Sequence, residues 1–387
     1  MKIALVHELL TMRGGAERVL RILADMFPDA PIFTLLYDEK KLGDWFPRDR
    51  VHPSSIQPKP SIFNFQFSIF NSFNHHLYLN RFPAAVEAWD FSAFDLVISS
   101  SSAFAHGIIA NGKPKHLCYV QSPARYLWDR THDVVDQAAK GLLGPLKRRY
   151  LERAFHTLRI WDSETADRPD MLLAASKTVE RRIELYWRRQ SDVLYPPIDD
   201  GWLEPTIRER ANHSMREQME HPDYFLLVST LARYKRIDLT IEACNRLKCR
   251  LKIVGEGPDR KRLEKLAGPT IEFYGYCTGD HLIDLLSNAR ATLFPGDEDF
   301  GLVPLESMAC GTPVIAYRSG GALETIIEHE TGEFFDEATP ESLQFVLQNF
   351  DQNKYSRDAC ITQAKKFSRE KFEAGIRDAI DTLMSDR

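Results

Sequence analysis

The stretch "EDFGLVPLESMACGTPVIA", residues 298–316, holds the first candidates for chemistry. Glu298 and Glu306, with seven residues between them, flank a Phe300–Gly301 turn that leads into an apolar, helix-like run beginning near Leu302. A loop, an amphipathic helix and a buried strand account for the apolar pattern, but not for an acid on each side of a helix start. Such a start offers unpaired N–H groups and the positive end of the helix dipole, so phosphate is its natural guest. Two more loops have the same character: "RGGAE" sets Gly14 and Gly15 ahead of a helix, and "GEGPD" sets Gly255 and Gly257 after a strand. None is a full GxGxxG or a P-loop, so the weight lies in finding three of them in one chain.

The elements that must carry these loops are legible as alternating apolar runs and helical patterns. "KIALVH", the loop "ELLTMRGG" and the helix "AERVLRILADMF" open a doubly wound α/β domain. "PIFTLLY", "FDLVISSS", "HLCYVQ" and "MLLAAS" read as further parallel strands buried on both faces. "VLYPPID" ends this half, and "YFLLVST" at 224 restarts the pattern. The expected fold is α/β, two Rossmann-like domains with parallel sheets facing each other. The first domain spans 1–200 and the second 201–365, with a last helix (366–387, its pattern starting near 357) crossing back to the first.

Composition narrows the function classes. Hydrophobic content of 43% and charged content of 27% are those of a folded globular chain. A formal net charge of −5 gives no reason to expect nucleic acid as a partner. The six cysteines show no CxxC and no metal-like spacing, and read as reduced thiols of a cytoplasmic protein. "MKIALVHELL" is too short an apolar run for a signal peptide, and no stretch approaches the roughly 20 apolar residues that span a bilayer.

The acid pair followed by "GGALETI" resembles the nucleotide-sugar motif of family 4 glycosyltransferases, which have the GT-B fold. The resemblance runs in order through "GGAERVL", "SSAFAHG", "HLCYVQSPARYLWD", "LAASKTVERRI", "VLYPPID", "YKRID" and "VGEGPDRKRLE". "PARYLWD" and "YPPID" look most like the bacterial polysaccharide mannosyltransferases. The resemblance implies that Glu306 accepts hydrogen bonds from the ribose hydroxyls, that Glu298 meets hydroxyls of the transferred sugar, and that Phe300, Gly301 and Leu302 line the diphosphate. It also implies a cation for the leaving diphosphate, where charge builds as the bond breaks. The family supplies an arginine and a lysine separated by four residues; this chain keeps Lys235 and has Thr230 in the arginine position, with Arg233 and Arg236 nearby as substitutes. Arg236 is the second cation expected to act.

The first domain departs from the family as well. Where a histidine often follows the strand facing the sugar, the chain has Gln121, which hydrogen-bonds but carries no charge. His106 in "SSAFAHG" and Arg125 in "SPARYLW" are further candidates, for ligand contact and for an acceptor phosphate. Asp297 and Asp299 form a D-x-D of the kind that binds Mg²⁺ or Mn²⁺ elsewhere, but they interleave with the Glu298 motif, so no metal and no cofactor is expected. The family retains anomeric configuration. Glu8 and Glu17 are near the right loop but unpaired, and neither is a clear nucleophile, so the resemblance implies a front-face reaction in which the leaving phosphate takes the acceptor proton.

Two stretches bear on the acceptor. Residues 147–189 hold eleven Lys/Arg against seven Asp/Glu, and "SIFNFQFSIFNSFNHHLYL" at 61–79 is rich in phenylalanine. Together they could dock an anionic membrane, although a solvated helix and a core-packed aromatic cluster explain them slightly better. The expected protein is a cytoplasmic retaining hexosyltransferase, with a peripheral position on the inner face of the membrane as an option, using an NDP-sugar donor, most simply GDP-mannose, and a lipid-linked or oligosaccharide acceptor. UDP-glucose or another donor, a GT-B sugar-nucleotide epimerase and a non-catalytic partner in polysaccharide assembly are the alternatives.

Overall fold

The computed structural model describes residues 1–57, 79–110, 112, 114–141, 143–204 and 223–385. The chain divides into two compact units, Met1–Tyr195 with Glu373–Arg387, and Pro196–Phe372. The last helix, Arg369–Ser385, starts in the second unit, and its residues from Glu373 onward cluster with the first. The phenylalanine-rich stretch lies outside the described residues apart from Leu79.

The first unit is built on seven strands: β1 (Ile3–Leu10), β2 (Ile32–Tyr37), β3 (Val51–Pro53), β4 (Leu96–Ser101), β5 (Lys115–Val120), β6 (Met171–Ala174) and β7 (Asp192–Val193). They pair in parallel in the order β3-β2-β1-β4-β5-β6-β7. All six residues of β4 are buried, as parallel strands covered on both faces require. The polar groups in β4 are therefore paired: the Ser99 hydroxyl lies 2.7 Å from His116 Nε2, and the Ser101 hydroxyl donates to Glu8 over 3.0 Å. β1 is longer than its apolar run. It continues through Leu10 because Leu9 and Leu10 pair with Leu36 and Tyr37 of β2. Glu8, read from sequence as a loop residue, is consequently a buried strand residue.

The second unit has six parallel strands: β8 (Tyr224–Val228), β9 (Arg250–Val254), β10 (Ile271–Gly275), β11 (Thr292–Phe294), β12 (Val314–Tyr317) and β13 (Gly332–Phe335). Their order is β10-β9-β8-β11-β12-β13, so both sheets start outward from their first strand and then reverse. The period of two in β8 shows why it is central. Phe225 and Leu227 enter a core with Ile241, Ile253 and Leu293, while Tyr224 and Leu226 enter another with Leu282, Ile283 and Leu286. The strand order reverses between β1 and β4 in the first unit and between β8 and β11 in the second. Ligands of such sheets bind beyond the carboxyl ends of the strands at that reversal.

Candidate active site

In the second unit the reversal brings two of the singled-out residues into contact. β8 ends at Val228, and the short 3-10 turn Arg233–Lys235 follows; β11 ends at Phe294, and Glu298 lies in the loop after it. Lys235 Nζ is 2.5 Å from Glu298 Oε2, and the two side chains keep 15% and 21% of their exposure. The pair is thus reachable from solvent but largely shielded. The loops that carry it are packed backbone to backbone: a Cβ added at Gly296 would lie 3.3 Å from Lys235 Cα. The loop is also pinned from behind, where Gly321 N–H donates to the Glu298 carbonyl over 2.9 Å and the Ser319 hydroxyl donates to Asp297 Oδ1 over 2.8 Å. Asp297 therefore ties this loop to residues 319–321.

Gly301 opens the helix Leu302–Ala309 with φ +88, and a Cβ there would lie 2.6 Å from the Phe294 ring. Only glycine turns the chain this tightly over the end of β11. Phe300 is buried, its ring centroid 5.6 Å from that of Phe367. Glu306 is inside the helix and 4% exposed. Next to it the Ser307 hydroxyl donates to Thr292 over 2.7 Å, which locks the helix to β11.

The "GEGPD" loop owes its glycines to its neighbour. At Gly255, with φ +134, an added Cβ would lie 1.9 Å from the Ser229 carbonyl oxygen, and at Gly257 2.4 Å from that of Leu231. Leu231 N–H donates to the Glu256 carbonyl and Asp259 N–H to the Leu231 carbonyl, both over 2.9 Å. The glycines let the loop after β9 zip onto the loop that leads to Lys235. Thr230, in the expected arginine position, is exposed. Arg233 Nε lies 3.8 Å from Asp259, and Arg236 donates to the Ala338 carbonyl over 3.3 Å with Asp238 at 3.6 Å. Both arginines thus have partners other than Glu298.

The reversal point of the first unit is filled by its own acids. Glu8 Oε1 accepts from the Ser101 hydroxyl and from the backbone N–H groups of Ser102, Ala103, Phe104 and Ala105, all within 2.8–3.0 Å. Burial raises the Glu8 pKa, but the charge of His7 and the N–H groups of Ala105, Ala103 and Phe104 outweigh it and hold the carboxyl below its ordinary value. His7 is 2% exposed, with Nδ1 3.1 Å from the Ser100 carbonyl and Nε2 3.8 Å from Glu17. Burial lowers the His7 pKa, yet Glu17, Glu8 and the Ser100 carbonyl together raise it above the usual value. Glu17 also accepts from Gly14 N–H over 2.9 Å, capping the helix Gly15–Met26 from within. The "RGG" loop thus already holds a carboxylate at its helix start. Sequence reading left Glu8 and Glu17 without partners; the partners of Glu8 lie on β4 and its following loop, and no local pattern announces them.

Gln121 follows β5, where its side-chain amide donates to Ser100 Oγ over 3.3 Å. His106 is fully buried, stacked on Trp187 at 4.4 Å, with Thr165 Oγ1 and the Asp162 carbonyl each 3.2 Å from Nε2. Burial lowers its pKa against the opposing pull of Asp162, and the ring is a core group out of reach of solvent. Asp162 in turn accepts from the indole N–H groups of Trp128 and Trp187 at 2.8 and 2.7 Å. Arg125 donates to Asp129 over 3.2 Å. Among the described residues, one group of possible metal ligands lies together, Glu328, His329 and Glu333, at the amino end of β13 and so on the opposite edge of the sheet from Lys235 and Glu298.

Residues 210–367 match the family described as Glycosyl transferases group 1. The chain is similar in fold to the structure of HepE from Anabaena in complex with UDP, with a TM-score of 0.70 and 15% identity over 99% of this chain and 100% of that one. The fold is therefore GT-B, two Rossmann-like domains with parallel sheets, and the chain resembles the family 4 glycosyltransferases of that fold. Its relatives include mannosyltransferases. It is 40% identical over 132 residues to the GDP-mannose-dependent alpha-(1-6)-phosphatidylinositol dimannoside mannosyltransferase of Mycobacterium tuberculosis, covering 32% of this chain. It is 27% identical over 210 residues, 48% of this chain, to the alpha-1,3/1,6-mannosyltransferase ALG2 of Mus musculus. These alignments span 34% and 50% of the relatives' own lengths.

Proposed function

We propose that the chain is a retaining hexosyltransferase that moves mannose from GDP-mannose onto a lipid-linked glycan or polysaccharide precursor. The observation that carries this reading is the Lys235–Glu298 contact at the strand-order reversal, beside the helix start at Gly301–Leu302. There a cation and a helix N-terminus suit a diphosphate, and a carboxylate suits sugar hydroxyls. Glu306 takes the ribose hydroxyls. Arg236 supplements Lys235, and the loops of Gly255, Gly257 and Phe300 shape the site. In the first unit Gln121 offers an amide to a sugar hydroxyl. The reaction runs on one face of the hexose. The anomeric C–O bond to the diphosphate breaks as the acceptor oxygen bonds, and the leaving phosphate oxygen takes the acceptor proton. Lys235 and the helix start stabilise the departing charge without a metal ion.

The mannosyltransferase relatives support a mannose donor, and the UDP complex of HepE makes UDP-sugars the runner-up. The helix Gly144–Thr165 supports an acceptor at a membrane surface. Leu143, just before it, and Leu146, Tyr150 and Ile160 on it are exposed, interleaved with Lys147, Arg149 and Arg153. An apolar and basic stripe of this kind lies on anionic headgroups. Among the described residues no helix is long and apolar enough to cross a membrane. The test supplies the protein with GDP-mannose, UDP-glucose and other NDP-sugars, with and without polyprenyl-linked acceptors. Acceptor-dependent transfer from GDP-mannose is expected. Turnover of the sugar nucleotide that ignores the acceptor would show an epimerase instead, and no turnover of any donor would show a non-catalytic partner.

A further inference from the structure

The cation and the acid assigned to the donor are in contact with each other. Lys235 Nζ and Glu298 Oε2 are 2.5 Å apart and mostly shielded, so the two charges are in direct contact. Around the pair, Arg233 lies beside Asp259, Arg236 beside Asp238 and the Ala338 carbonyl, and the Ser319 hydroxyl donates to Asp297. The loops that carry the pair are held together, because the Glu298 backbone is bonded to Gly321 and the Gly296 backbone is packed on that of Lys235, so a rotation of either side chain is enough to part or rejoin the charges. A ligand that takes Lys235 for its phosphates therefore competes with Glu298 for it.

A sugar nucleotide and its product differ in what they give back. The donor offers a diphosphate for Lys235 and, on the same molecule, hydroxyls for Glu298. The bare nucleoside diphosphate offers only the first. It would draw Lys235 away and leave a shielded carboxylate with no partner, next to the phosphate's own negative charge. We propose that Glu298 discriminates between sugar nucleotide and nucleoside diphosphate by reclaiming Lys235 whenever no hexose is present. On this view Glu298 serves twice, once as a contact to the hexose and once as an internal competitor that weakens the hold on the product. The inference rests on the donor-site reading above and deepens it. It adds a specificity device made of charge exchange, with no moving lid.

The device has an unusual signature, since removing a binding residue should tighten a ligand. Glu298→Gln keeps the shape and a hydrogen-bonding tip but no longer holds Lys235. The variant should bind GDP or UDP, and inorganic diphosphate, at least about tenfold more tightly than wild type, while losing affinity for the sugar nucleotide. Its transfer reaction should be inhibited at correspondingly lower product concentration. Glu298→Ala should show the same tightening and guards against a local effect of the amide. In Lys235→Ala the Glu298→Gln change should no longer tighten diphosphate binding, because the competition has lost its object. Calorimetry with the three phosphates and the sugar nucleotide on the four variants and wild type reads the affinities, and a transfer assay with added product reads the inhibition. Unchanged or weaker diphosphate binding in both Glu298 variants would overturn the exchange, as would tightening that survives loss of Lys235. Tightened binding without transfer from any sugar nucleotide would instead overturn the proposed activity and leave the charge exchange standing.

Discussion

The two units have the same parallel strand order but opposite solutions at the place where that order reverses. In the first, the helix start after β1 is capped by Glu17, and the turn after β4 closes its N–H groups around Glu8, with His7 as the internal counter-charge. In the second, the helix start after β11 is opened by Gly301, and the charged pair beside it keeps solvent access. A topology that favours anions at this position can thus be satisfied from within or left for a ligand. Sheet order alone does not distinguish the two reversal points; the side chains at the strand ends do.

The comparison breaks most decisively at Lys235. Lys235→Ala should lower kcat more than it raises the donor KM, by on the order of 10²–10³, because the cation matters most when charge reaches the departing diphosphate. If neither this change nor Arg236→Ala slows transfer tenfold, the second unit's reversal point is not where the donor reacts. Glu8→Ala should act on the other half. Four backbone N–H groups would lose a buried charged acceptor, costing about 3 kcal/mol in denaturant unfolding, with nucleotide affinity little changed. A stable Glu8→Ala protein would mean that the turn after β4 closes without its carboxylate.

Glu306→Ala should weaken nucleotide binding by roughly 1.5–3 kcal/mol, since the ribose hydroxyls lose a charged acceptor. Equal affinity in calorimetry would remove Glu306 from the ribose. Transfer should also persist in excess EDTA; activity lost there and restored by Mn²⁺ would return Asp297 and Asp299 to consideration as ligands.

The smallest effect sharpens the contrast through pH. His116, in the first unit, has its pKa lowered to about 3 by burial. Between pH 6.5 and about 3 the unfolded chain takes up a proton that the folded His116 refuses, so this group costs about 1.4 kcal/mol of stability per pH unit over that range. His116→Gln should flatten this limb of the unfolding profile. His7 works in the opposite direction: with its pKa raised, its contribution is complete below pH 6.5 and is lost as pH rises through the folded value. The lowered Glu8 pKa gives a contribution present above pH 4.5 and lost as pH falls through the folded value.

Much of the fold was legible because its signals are local. Buried parallel strands are short apolar runs, helices between them have their own period, and glycines mark the tight turns after strands. The alternation from "KIALVH" to "PVIAY" therefore became two parallel sheets. Local reading had limits even there. β1 runs past its apolar stretch because β2 offers Leu36 and Tyr37 as partners, and the two-residue β7 carries no sequence signature. The last helical pattern is interrupted, forming the helices Arg357–Lys365 and Arg369–Ser385.

By itself the sequence determined which loops could receive an anion, because glycine before a helix is a property of neighbouring residues. It equally determined that two acids bracket one of those helix starts. Only the tertiary structure decided which of these groups are already spent. Glu8 lies on β1 and its acceptor role is defined by β4's turn; Lys235 and Glu298 follow different strands; His106 becomes a core residue only because Trp187 and Thr165 close over it. A charge is satisfied by whatever folding brings within a few ångströms, and that distance is set by strand pairing and not by position along the chain.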